Sequence, residues 1–216
     1  MLIPAKLNSI IRILLVNHLE GRATLQIATI AKKANISSAM AKRLVLRLVR
    51  SDYARINRGV ILTQPIKLLK AWSYSFSIRE LDRCEYIAAE RPQYVMTRIT
   101  NAARNTNMMY AFTLLSATEH ISPYVAPSDT YLYIDKKDLK SWHSLLRNLN
   151  MLPTEKGGNV ICLTVDKEYF EGIWRAREVP LVSLPQLYSD LFSYGGMGIE
   201  AAEELYKIIK EKIKDV

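Results

Sequence analysis

Cysteine and histidine are scarce in this chain of 216 residues, which has two Cys, at 84 and 162, and three His, at 18, 120 and 143. Two thiols that far apart in sequence are too few for a disulfide framework. The scattered histidines leave no Cys/His cluster with metal-ligand spacing. No metal or cofactor is expected, and a reducing cytoplasm is the natural compartment. Glycine and proline number only 8 each, which excludes collagen-like and low-complexity chains. With 49% hydrophobic and 24% charged residues the composition is that of an ordinary globular protein rather than a disordered one. Long apolar runs are missing as well. Leu2 and Ile3 are followed by Pro4, Lys6 and Asn8, and the run from Ile10 to Val16 is broken by Arg12. That is neither a secretory core nor the roughly 20 apolar residues of a membrane span, so a chain neither exported nor anchored is expected.

Acidic residues are nearly absent from the first third. Residues 1–70 hold 13 Lys and Arg against Glu20 and Asp52, a balance of +11, whereas residues 71–216 hold 17 basic and 19 acidic residues, a balance of −2. The overall +9 therefore belongs to one part of the chain. Such asymmetry points to one module that faces a polyanion and one that does not. Nucleic acid is the first candidate, because phosphate neutralisation by Lys and Arg supplies most nonspecific affinity. An anionic membrane surface is the second.

The apolar spacing of the basic third favours nucleic acid. Leu7, Ile10, Ile11, Leu14, Leu15 and His18/Leu19 recur at helical period up to Gly21. A second helix is expected from Thr24 as N-cap to Ala34, ended by Asn35, a residue that tolerates left-handed backbone. Ile36 turns inward and Ser37 caps a third helix of about 13 residues, with Ala41, Leu44, Val45, Leu48 and Val49 on its apolar side. Two helices joined by so short a turn make a helix-turn-helix. Beyond it, Tyr53–Ile56 and Val60–Thr63 flank Asn57-Arg58-Gly59, a turn suited to a hairpin with Arg58 at its tip. The apolar faces are used by the core, which leaves none for a membrane. The expected binders of double-stranded DNA are Ser38, Ala39, Lys42, Arg43, Arg47, Arg50, Arg55 and Arg58. The first of these would reach base edges, and Arg47 and Arg50 would meet phosphates.

The expected fold class is α+β, an N-terminal winged helix-turn-helix followed by a C-terminal mixed α/β domain with a small sheet. The expected domains are residues 1–70, a linker helix region at 71–90 opened by Pro65, and residues 91–216. In the last of these, strands at 110–114, 131–134, 160–165 and 179–182 alternate with helices from Pro92, Ser116, Asp135, Pro185 and Ile199. The segment 74–89 reads equally as helix or strand. Little here points to chemistry. Gly195-Gly196-Met197-Gly198 lacks the strand and the Lys of a phosphate loop and reads as a turn between helices. Asp129, Asp135 and Lys137 are the one set that a metal-dependent nuclease would use, although Asp135 is also a good helix cap. Asp190 could cap or pair across the two final helices. A protein-interaction adaptor is the remaining alternative.

The order of several short motifs resembles the AbiEi-type antitoxin and transcriptional regulator family of type IV toxin-antitoxin systems. They are Gly59-Val60-Ile61-Leu62-Thr63 running into Pro65–Trp72, then Tyr110–Ala117, Ala126-Pro127, Leu132-Tyr133-Ile134, Gln186–Leu191 and Gly198–Glu203. The likeness spans residues from roughly 25 to 210. It implies a winged-helix repressor, not an enzyme, with a C-terminal domain tied to antitoxin function and a nucleotidyltransferase-like toxin as partner. A homodimer, or several copies on a repeated operator, would follow. The pattern expects a small residue, often Gly, at Leu114 and an Arg near Met197.

Overall fold

The structure is a computed structural model and describes residues 4–22, 24–123 and 125–214. Leu2 and Ile3 lie outside the described residues. The chain is mixed α+β and forms two compact units, Met1–Ser77 with Ser183–Val216, and Ile78–Val182. This division departs from the expected 1–70, 71–90 and 91–216, because the last two helices group with the first four.

In the first unit α1 (Ala5–Leu19), α2 (Ile27–Lys33), α3 (Ser38–Arg50) and a hairpin of β1 (Ala54–Ile56) and β2 (Val60–Leu62) precede α4 (Pro65–Ser75). α8 (Leu184–Tyr194) and α9 (Met197–Lys214) complete it. α1 is nearly continuous apolar surface and is buried from Ile10 through Asn17, so it is a core helix and not an amphipathic surface one. Its burial includes Arg12, fully enclosed, whose Nε donates to Oε1 of Gln186 at 2.5 Å. Gln186 in turn donates from Nε2 to Oδ1 of Asp190 at 2.6 Å, and both are fully buried in α8. The Arg12 guanidinium lies 5.7 Å from the Trp72 ring centroid, and Trp72 Nε1 donates to Asn8 Oδ1 at 3.0 Å. A polar seam thus fastens α1, α4 and α8 inside an apolar core. Asp190 serves this seam rather than capping a helix.

α8 ends at Gly195, whose φ of 84° is open to glycine. α9 starts so close that a Cβ on Gly198 would stand 2.5 Å from the Leu191 carbonyl oxygen. The glycine cluster is therefore a tight interhelical turn.

The second unit is built on a mixed sheet of seven strands, larger than the small sheet expected, in the order β6-β3-β7-β5-β4-β9-β8. The strands are β3 (Arg83–Ile87), β4 (Tyr110–Thr113), β5 (Thr130–Asp135), β6 (Leu152–Thr154), β7 (Val160–Val165), β8 (Trp174–Ala176) and β9 (Val179–Leu181). β5 and β7 run parallel at the centre, and the other neighbours are antiparallel except β4 with β9. α5 (Pro92–Ala103) and α7 (Leu139–Asn148) pack on each other and on β5, and α6 (Leu114–Thr118) follows β4 directly. Trp142, fully buried, meets Tyr110 edge to face at 5.1 Å. The ambiguous segment 74–89 resolves into the end of α4, a 3-10 turn at Ile78–Glu80 and β3.

Leu114, where a small residue was expected, is buried with φ of 54°. The chain needs a left-handed residue between β4 and α6, a conformation that disfavours any residue with a Cβ.

Candidate nucleic-acid interface

α2 and α3 are joined by a turn whose geometry follows from two residues. Asn35 takes φ of 50°, its N–H bonds the Lys32 carbonyl at 3.3 Å, and the Ile36 N–H reaches back to the Ala31 carbonyl at 3.0 Å. This paired return is the Schellman end of a helix, with Asn35 in the left-handed position. Ser37 then starts α3, its Oγ accepting from Met40 N at 3.2 Å. α2 itself starts at Ile27, not after Thr24. Leu25 is held in a β-bridge to Val60, with N–H to O contacts of 3.0 and 2.8 Å, and cannot join a helix.

α3 divides cleanly. Ala41, Leu44, Val45 and Leu48 are buried, Val49 is half-buried, and Ser38, Ala39, Lys42, Arg43, Arg47 and Arg50 are exposed. At 3.6 residues per turn those six lie on one side of the helix. Arg47 and Arg50 stand in its last turn, where the helix dipole favours cations.

β1 packs against α3 and pairs with β2 in the register Ala54 to Leu62, Arg55 to Ile61 and Ile56 to Val60. The tip is tight. Arg58 has φ of 53° and Gly59 φ of 156°, Asn57 N–H bonds the Gly59 carbonyl at 2.7 Å, and Gln26 Nε2 donates to the Arg58 carbonyl. The base is closed by Thr63 Oγ1 and Gln64 Nε2, which donate to the Asp52 carbonyl at 2.6 and 3.0 Å. Arg55 and Arg58 are both exposed.

All eight residues expected to bind are therefore at the surface, six on one face of α3 and two on the hairpin beside it. Among the described residues, the side chains of Lys42, Arg43, Arg47, Arg50, Arg55 and Arg58 make no ion pair. The first unit holds 17 basic and 8 acidic residues, whereas the second holds 13 of each, so the entire +9 resides in the unit that carries this face. Sequence reading left out Lys32, exposed in the last turn of α2, and Gln26, whose hold on the hairpin tip has no local signature.

The residues of a nuclease reading do not converge. Asp129 precedes β5 and Asp135 ends it, so at ~3.3 Å per residue they stand roughly 20 Å apart. Asp135 Oδ1 accepts from Lys137 N at 3.0 Å as a cap, and Asp129 accepts from Ser128 Oγ at 2.9 Å. Among the described residues no group of three or more His, Cys, Asp and Glu could hold a metal, and no helix is long and apolar enough to cross a membrane. Comparison with family models, with curated proteins and with solved structures finds no match.

Proposed function

We propose that this chain is a cytoplasmic, sequence-specific regulator that binds double-stranded DNA, with α1 to α3 and the β1–β2 hairpin acting as a winged helix-turn-helix. The observation that carries the reading is the exposed face of α3 and the hairpin, with six cations free of ion pairs on the unit that holds all the net charge. Free guanidinium and ammonium groups are what phosphate neutralisation requires, since a cation already paired must first lose its carboxylate. α3 enters the major groove with Ser38, Ala39, Lys42 and Arg43 towards base edges. Arg47 and Arg50 meet phosphates, and the hairpin carries Arg55 and Arg58 to the flanking backbone.

The finer reading, an antitoxin-like repressor of its own operon with a nucleotidyltransferase-like toxin as partner, rests on the resemblance to AbiEi-type proteins. The left-handed backbone at Leu114 supports it, since that is where the family pattern calls for a small residue. Two copies would bind a palindromic or repeated operator.

The test is binding of the chain to the DNA upstream of its own reading frame, titrated at several salt concentrations. Arg43→Ala with Arg47→Ala should weaken binding and flatten the slope of log K against log salt by about 2 per bound copy, since each lost phosphate contact removes about 0.9. Equal affinity and an equal slope in wild type and variant would refute the assignment.

A further inference from the structure

The sheet of the second unit brings together the two cysteines that sequence separates. β3 and β7 are antiparallel neighbours, and their register sets Cys84 directly opposite Cys162. Cys84 is half-buried and reachable from solvent, Cys162 is fully buried, and the Cys84 thiol lies 3.9 Å from the Cys162 carbonyl oxygen. Tyr86, two residues along β3 and on the same face, is bonded through its hydroxyl to Nδ1 of His143 in α7. With the ring proton on Nδ1, His143 donates to the Tyr86 oxygen, and the phenol's own proton is directed at the Cys84 sulfur.

We propose that Cys84 and Cys162 form a peroxide-reactive pair, a modification site at which a hydroperoxide converts two thiols into a cross-strand disulfide. Cys84 is the attacking residue. Its thiolate bonds to a peroxide oxygen, the O–O bond breaks, and the leaving alkoxide or hydroxide takes up a proton. Sulfur gives up two electrons and the peroxide accepts them. Cys162 then attacks the Cys84 sulfenic acid, the S–S bond forms, the S–O bond breaks, and water leaves with the Cys162 proton. The sum is two thiols and one hydroperoxide giving a disulfide, an alcohol or water, and a further water.

Roles are divided by environment. Hydrogen bonds, first from Cys162 and then from Tyr86, lower the Cys84 thiol against the opposing effect of burial. The same bond together with burial raises the Cys162 thiol. A thiol lowered and solvent-accessible attacks, and a buried one beside it resolves. Directly opposed residues in such a ladder have Cβ atoms about 4.5 to 5.5 Å apart, against about 3.5 to 4.5 Å in a disulfide. The strands must close by roughly 1 Å, which makes the bond easily reduced and suits a reversible switch more than a structural staple. This inference stands apart from the DNA-binding reading.

The experiment exposes the full, reduced chain to hydrogen peroxide, blocks remaining thiols under denaturing conditions, and maps the peptides by mass spectrometry. The expected product joins the Cys84 and Cys162 peptides within one chain, with loss of two hydrogens, and is reversed by dithiothreitol. In Cys162→Ala, Cys84 should be trapped as a sulfenic acid by dimedone. In Cys84→Ser, Cys162 should stay a thiol. Tyr86→Phe should slow oxidation about threefold to tenfold and move the pH profile of Cys84 alkylation upward, a shift that lost packing alone would not give. Two intact thiols after peroxide, disulfides only between chains, or Cys84 oxidised to sulfinic acid beside an untouched Cys162 would each overturn the proposal.

Discussion

Replacing Asp190 by Leu tests whether the buried seam holds the first unit together. Asp190 is fully enclosed and accepts from Gln186, which accepts from an equally enclosed Arg12. Removing the carboxylate leaves the guanidinium in low dielectric without its counter-charge, a change that costs about 3 to 5 kcal/mol. For a unit with a total stability of roughly 5 to 15 kcal/mol, that is a third or more. At about 4 °C per kcal/mol it lowers Tm by about 12 to 20 °C. Arg12→Met should cost a similar amount for the mirror reason. The pair of substitutions should cost far less than the sum, because the two orphaned charges vanish together. A triple variant adding Gln186→Leu should return close to wild type, since apolar groups of similar volume replace a buried ionic cluster at little net cost. Urea unfolding followed by Trp72 fluorescence is the assay, with Trp142 and Trp174 changed to Phe so that the signal comes from the ring 5.7 Å from the Arg12 guanidinium. Additivity of Arg12→Met and Asp190→Leu within about 0.5 kcal/mol, or a single-variant cost under about 1 kcal/mol, would refute the reasoning.

Three further outcomes follow from local geometry. Ser37→Ala removes the 3.2 Å cap at the start of α3 and should cost about 1 kcal/mol in denaturant unfolding, whereas Ser37→Asp should not. Gly59→Ala places a Cβ 2.4 Å from Thr24 Cγ2 at a φ of 156°, and should cost about 1 to 3 kcal/mol and weaken DNA binding more than stability alone explains. Burial lowers the pKa of His18 below its usual 6.5. The unfolded chain therefore binds the proton more readily, and stability present above pH 6.5 falls as pH drops below it. His18→Phe should flatten that fall in thermal melts between pH 7 and pH 5, leaving the smaller share from His120, which burial lowers in the same way.

The elements that show in sequence are those whose signals are local. α3 is declared by its apolar spacing and by Ser37, the end of α2 by Asn35, and the hairpin by Asn57-Arg58-Gly59. Elements set by distant partners were invisible. Thr24 looks like a helix cap, yet Leu25 is claimed by Val60 from 35 residues away. β6 and β8 are three-residue strands, Leu-Pro-Thr and Trp-Arg-Ala, too short for alternation to register. Gln186 reads as an ordinary helix residue until Arg12, 174 residues earlier, is seen beside it. The cysteines, 78 residues apart, are related only by strand register. The exposed cations were legible because a charged face opposite an apolar stripe follows from helical period alone.

The discontinuity of the first unit has a consequence for biosynthesis. Its helices α1 to α4 leave the ribosome first, but α8 and α9 follow only after the whole of Ile78–Val182 has been translated. At roughly 5 to 20 residues per second, α1 waits several seconds with Arg12 lacking Gln186 and an apolar surface uncovered. The second unit is contiguous and can fold during that interval. A nascent chain would thus carry a finished sheet and an unfinished basic module, and DNA recognition would be switched on last, by the final helices.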